Sequence, residues 1–198
     1  MRFYALQVRT RDVEKFLSIA RQRTSEASPG AGPSAEPGAG LPRFLWPRRK
    51  LRIRRARAWH ETLAPVFPGY LFVQVEEIDA DLFHRLRTIP GFVRFLPSNE
   101  TRSPLDQRDQ ETLMHFLSFG EIVDRSRVVF DENSRIRVLA GPLKGLEGHI
   151  VKVDRRKGRA KVRLQLYEDS FEIDFGFEAL EAPIQKPSGE PAPSPTST

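Results

Sequence analysis

The sequence has no cysteine, and that absence excludes disulfides, thiolate nucleophiles and cysteine-based zinc sites. A reducing cytoplasm is therefore the expected compartment. Histidine is nearly as scarce. His60, His84, His115 and His149 are widely separated and show no helical pair spacing, so no metal centre is expected. No run of residues approaches the roughly 18 to 20 apolar positions that a spanning helix needs, so no membrane partner is expected. The strand-like start at Arg2 is not the charged-then-apolar pattern of a signal peptide. No Ser-His-Asp arrangement or carboxylate pair can be drawn from spacing, and the chain reads as a non-enzyme without a cofactor. Gly141, Gly145 and Gly148 do not make a phosphate loop either: no GKS or GKT follows, and the segment lies between strands rather than before a helix.

What is present is charge, unevenly placed. The 198 residues carry 32 basic and 26 acidic groups. Residues 43–57 hold eight basic residues and no acid: Arg43, Arg48, Arg49, Lys50, Arg52, Arg54, Arg55 and Arg57. Residues 135–163 hold ten basic residues against Glu147 and Asp154, whereas 168–181 carry six acids and no base. Alternation in Lys50-Leu-Arg-Ile-Arg54 puts the cations on one strand face and the apolar residues on the other. A purely protective edge needs fewer cations. Seven arginines to one lysine favour bidentate phosphate contact and stacking on bases. Arg48, Arg49, Lys50, Arg52, Arg54, Arg55 and Arg57 are accordingly the candidate nucleic-acid residues.

Between residues 24 and 42, fifteen of nineteen residues are Gly, Pro, Ala or Ser. Little surface can be buried there to offset about 1–2 kcal/mol of backbone entropy per residue, so a flexible insertion is expected. The proline-rich tail after residue 182 reads the same way. The ordered parts begin with a strand at 3–9, where Tyr4, Leu6 and Val8 share one side and Phe3, Ala5 and Gln7 the other. A helix follows to about residue 23. Strands come next near 44–46, 50–54 and 70–75, then a helix capped by Asp79 or Asp81, a short strand at 92–96, and a helix opened by Ser103-Pro104 with Leu113, Met114, Phe116 and Leu117 inward. Past residue 121 only strands are expected. Ala160, Val162, Leu164 and Leu166 alternate inward, and Phe171, Ile173 and Phe175 form a further strand. Five short strands in about fifty residues suit a small closed barrel. The fold class is α+β: a small sheet with packed helices, followed by a small all-β barrel.

These residues resemble a known family. Phe3-Tyr-Ala-Leu-Gln-Val-Arg-Thr10, Pro47, Phe67-Pro-Gly-Tyr-Leu-Phe-Val73, Ile89-Pro-Gly-Phe-Val93 and Ile136-Arg-Val-Leu-Ala-Gly-Pro-Leu-Lys-Gly-Leu-Glu-Gly-His-Ile150 are similar to NusG-like transcription elongation factors, an N-terminal NusG domain followed by a KOW domain. The domains implied are 1–120 (with the 24–42 insertion), a linker at 121–133, an SH3-like KOW barrel at 134–182 and a disordered tail at 183–198. The KOW wording looks like the LoaP-like group of specialised antiterminators.

The resemblance implies a monomeric factor that grips the clamp helices of RNA polymerase and suppresses pausing or termination, with nascent RNA or non-template DNA as a further partner. Phe67 and Tyr70 match the polymerase face, with Tyr4 a neighbouring candidate on the first strand, and Phe67 is expected to be partly exposed beside Tyr70. Leu166 and Tyr167 match the KOW stretch that receives partners such as a ribosomal protein or Rho. Here Glu168 and Asp169 replace the family's glycine and arginine, which puts both of those partners in question. Two alternatives stay open: a housekeeping NusG coupling polymerase to Rho or the ribosome, and a KOW-type translation or ribosome-assembly RNA-binding protein.

Overall fold

The computed structural model describes residues 1–26 and 41–180. A four-stranded antiparallel sheet is ordered β2-β5-β1-β6, from Arg43–Leu45 (β2), Tyr70–Val75 (β5), Arg2–Val8 (β1) and Phe92–Phe95 (β6). Central β1 pairs with β5 (Tyr4 opposite Val73) and with β6 (Leu6 opposite Phe95). Both faces of this sheet are covered. Tyr4, Leu6, Val8, Leu71 and Val73 pack against Val13–Glu26 (α1) and Ala80–Arg87 (α2). Phe3, Ala5, Leu45, Tyr70 and Phe72 join a second core with Leu113 and Phe116 of Gln107–Leu117 (α3). Rings such as Phe16, Phe72 and Phe95, all 0% exposed, each contribute roughly 1.5–3 kcal/mol of burial.

Local signals account for most boundaries. Asp79, one of two candidate caps for α2, accepts a hydrogen bond from the Leu82 amide at 2.7 Å. Asp106 does the same for α3 through the Asp109 amide, so that helix opens at Gln107 and not at Ser103-Pro104. Met114, expected inward, is exposed, while Leu113 and Phe116 are fully buried. The expected insertion begins later than composition suggests. Helix α1 runs on to Glu26, and buried Thr24 turns its hydroxyl onto the Ala20 carbonyl at 2.8 Å. The remainder of that insertion through residue 40 lies outside the described residues, as does the tail beyond 180.

The basic segment forms Arg48–Arg55 (β3), which pairs along its whole length with Ala58–Pro65 (β4). Strand β4 has no sequence signal of its own, being polar and exposed. Its turn, Ala56-Arg57, has both residues at positive φ (46° and 66°), a geometry usually signalled by Asn-Gly or Asp-Gly. Part of the expected linker is strand: Ile122–Val123 (β7) lies parallel to the start of β3. Ser126–Phe130 (β8) already belongs to the C-terminal sheet.

That five-stranded sheet is ordered β10-β11-β12-β8-β9, from Ile150–Asp154 (β10), Arg159–Leu166 (β11), Asp169–Ala179 (β12), β8 and Ile136–Ala140 (β9). Strand β12 pairs with β11 over most of its length, then switches at Phe177 to run parallel to β8. No β9–β10 ladder forms among the described residues, so the sheet is a half-barrel of the SH3-like KOW kind rather than a closed ring. Ala160, Val162, Leu164 and Leu166 all face its core.

Candidate functional site

The Phe67 turn is built by its own sequence. Pro68 and Gly69 occupy the two corner positions, Gly69 at φ +82°, and the Tyr70 amide donates to the Phe67 carbonyl at 3.2 Å. Proline then glycine at those positions is the signature of a type II turn. The Val8 amide donates to the Gly69 carbonyl at 2.8 Å and ties the turn to β1. Phe67 and Tyr70 are thereby brought to one face of the first sheet.

That face is covered by the half-barrel. Phe67 is 1% exposed, not partly exposed as expected. Its ring meets Phe72 at 5.4 Å and Phe116 at 6.0 Å from its own unit, and Phe171 of β12 at 6.5 Å, all edge-on. Phe171 also stands edge-on to Tyr70 at 5.6 Å, and Phe175 stacks on Phe116 at 5.3 Å and 7°. The Tyr70 hydroxyl donates to Asp169 Oδ2 at 2.6 Å. Burial, and then the hydrogen bond and charge of Asp169, push the Tyr70 phenol up to about 12.

Tyr4 does not join them. It lies on the opposite face of β1, 2% exposed among the helices, with its hydroxyl on the Glu76 carbonyl at 3.2 Å. The β1 residues that share a core with Phe67 and Tyr70 are Phe3 and Ala5. The period-2 alternation of residues 3–9 already separates Tyr4 from Phe3.

Polar contacts knit the same seam. The Tyr167 amide donates to Asp109 Oδ2 at 2.8 Å and its hydroxyl to the Ser103 carbonyl at 3.2 Å. Burial raises the Asp109 carboxyl and, with the nearby Asp109 and Asp106 charges, the Tyr167 phenol. Asp109 and Asp169, unflagged in the sequence as site residues, are thus the carboxylates of the seam. Leu166 is 0% exposed in the barrel core and presents no side chain to a partner.

The basic strand divides by face. Arg49 is 8% exposed: its Nε donates to the Asp174 carbonyl at 2.5 Å, Nη1 donates to the Pro65 carbonyl, and the guanidinium lies 5.6 Å from the centre of the Phe175 ring. Burial lowers its pKa to about 10. Arg49 is therefore a strut between the two units, because alternation puts it on the Leu51 side, and it leaves the set of accessible cations. Arg48 sits 4.8 Å over Trp46, and Lys50 pairs with Asp124 at 3.1 Å. Arg52, Arg54, Arg55 and Arg57 are exposed. Opposite Arg54 stands Trp59 of β4, which sequence reasoning missed and whose ring lies 5.3 Å from Arg52.

Residues 1–114 match the family model described as transcription termination factor NusG, and residues 132–163 match the KOW motif. The chain belongs to the NusG family. Over 116 residues it is 28% identical to the transcription termination/antitermination protein NusG of Pasteurella multocida, a match covering 58% of this chain and 63% of that protein. Over 139 residues it is 24% identical to the protein of the same description from Borreliella burgdorferi, covering 67% and 71%. The chain thus matches less than two thirds of the Pasteurella relative's length. A solved structure described as "Domain interaction in Thermotoga maritima NusG" superposes with a TM-score of 0.54 at 18% identity, covering 88% of this chain and 93% of that one. That likeness establishes the shared fold. Among the described residues of this NusG-family chain, no group of three or more His, Asp or Glu side chains is placed to hold a metal ion, and no helix is long and apolar enough to cross a membrane.

Proposed function

We propose that this chain is a non-enzymatic transcription elongation and antitermination factor that docks on the clamp helices of RNA polymerase through the face containing Phe67 and Tyr70. The observation that carries the reading is the convergence of both residues on one large apolar surface of the NusG-type unit. A few large aromatic anchors are what a helix-in-groove contact needs. The KOW half-barrel covers this face through Phe171, Phe175 and Asp169, so polymerase docking requires the two units to part.

An operon-specific role is favoured over a genome-wide one. Tyr167 and Asp169 lie in the stretch that the family uses for KOW partners, and both are engaged within the chain, on Asp109 and Tyr70. A factor that must meet Rho or a ribosome throughout the genome gains by keeping that stretch free. The exposed cations of β3 supply the nucleic-acid contact, to nascent RNA or non-template DNA.

The test is binding of the full chain to purified polymerase, comparing Phe171→Ala with the double variant Phe171→Ala, Phe67→Leu, so that the Phe67–Phe171 seam contact is absent from both and only the ring on the polymerase face differs. Loss of an interface anchor should weaken binding by about 2 kcal/mol. Unchanged affinity in a folded variant rules out Phe67 as the anchor.

A further inference from the structure

Where the β3–β4 hairpin meets the β10–β11 turn, the two units enclose an open groove of about 260 Å³. From the first unit come Arg52 and Trp59, from the junction Arg125, and from the turn Arg155, Arg156 and Lys157. One acid, Glu178, lies among these five cations. The walls are held by contacts across the seam. Arg159 donates to the Arg52 carbonyl at 2.7 Å, and Gly176 lets β12 approach the Lys50 backbone closely.

We infer that this groove binds a single strand of nucleic acid and that it is complete only while the two units are docked. The inference rests on the reading of the outer face of β3 as a nucleic-acid surface and goes beyond it in adding the KOW turn. Charge complementarity selects a polyanion: neither basic cluster alone spans the groove, and docking sets the two side by side. Trp59, 42% exposed, selects an unpaired base, since a duplex buries its base faces in its own stack. The Arg52 guanidinium beside that ring adds a cation to the stacking platform. Arg125 lines the groove with its Nε buried and without a hydrogen-bond partner, so its guanidinium is incompletely satisfied by the protein.

A ligand that touches both units binds the docked arrangement better than the parted one and must favour it to the same degree. A strand held by both units and the polymerase are therefore antagonists: one holds Phe67 and Tyr70 covered, the other requires them free, and once the units part the β3 cations alone remain for nascent RNA or non-template DNA.

The test uses the full chain and the oligonucleotide dT12. Binding should quench Trp59 emission, and Trp59→Phe should remove the quench. The double variant Arg156→Glu, Lys157→Glu should bind dT12 at least about ten-fold more weakly and flatten the salt dependence by roughly 0.7 for each phosphate that it no longer neutralises. Phe171→Ala, which loosens the seam, should weaken dT12 binding while it strengthens polymerase binding. Three results overturn the inference: native affinity in the Arg156, Lys157 variant, unweakened dT12 binding in Phe171→Ala, or equal affinity for a 12-bp duplex. Loss of dT12 binding in Arg52→Glu, Arg54→Glu but not in the Arg156, Lys157 variant would sink the composite groove yet leave the β3 reading standing. Polymerase binding is a separate assay, so its failure is distinguishable from either.

Discussion

Phe171 is the ring whose removal best tests the seam. It is only partly buried, and its ring contacts are to Phe67 and Tyr70 of the other unit. Each edge-on aromatic contact contributes about 0.5–1.5 kcal/mol beyond area burial. Incomplete burial of the ring adds about 1 kcal/mol more. Phe171→Ala should therefore destabilise docking by about 2–4 kcal/mol. At about 1.4 kcal/mol per factor of ten, the lower figure already raises the ratio of parted to docked chains about thirty-fold. When the competent form is the minor one, apparent affinity rises with its population, so polymerase binding should tighten by a similar factor. The assay pairs polymerase affinity with small-angle scattering, which reports whether the units have separated. A chain that scattering shows to be parted, with polymerase affinity no better than the native protein, would refute the reasoning.

Two further outcomes follow from the same seam. Both Tyr70 and Tyr167 have raised phenol pKa values, so docking is favoured below the free phenol value near 10 and is lost as pH rises through the docked values, about 12 for Tyr70; tyrosinate absorbance should show Tyr70 ionising earlier in Asp169→Asn, and an unchanged titration would show that Asp169 does not hold it. Gly176→Ala places a Cβ 2.8 Å from Arg125 Cγ and 3.0 Å from the Lys50 carbonyl oxygen, a backbone atom that cannot swing aside, so it should cost about 1–3 kcal/mol of docking and reproduce the polymerase gain of Phe171→Ala; native thermal stability and scattering would show that the strands accommodate it.

Much of each unit is legible in the sequence, because local rules govern it. Alternation placed Ala160, Val162, Leu164 and Leu166 inward, and Pro-Gly fixed the Phe67 turn. What was not legible depends on the meeting of distant segments. Nothing near Phe67 in sequence signals that Phe171, more than a hundred positions on, will cover it. Arg49 reads like its neighbours until the strand face is known, and only then does it become a strut. The β3–β4 hairpin was hidden because Ala56 and Arg57 adopt positive φ without the usual residues, at a cost that the long ladder beside them offsets.

The composition of the seam also bears on whether it can open. A fully apolar interface of this kind would behave as one core, and parting it would resemble unfolding. Here the apolar contacts among Phe67, Phe116, Phe171 and Phe175 are interleaved with groups whose burial is costly. Arg49 has its pKa lowered by desolvation, and Asp109 has its pKa raised by it. Each is better solvated when the units part. The hydrogen bonds that compensate, Arg49 to the Asp174 carbonyl and Tyr167 to Asp109, contribute only about 1.5–3 kcal/mol each where one partner is charged, because water replaces them on opening. Docking thus sets the contacts of the aromatic rings and these hydrogen bonds against the desolvation of Arg49 and Asp109. A partner that offers Phe67 and Tyr70 an apolar surface, while leaving Asp109 and Arg49 to water, replaces the favourable contacts and relieves the unfavourable ones together.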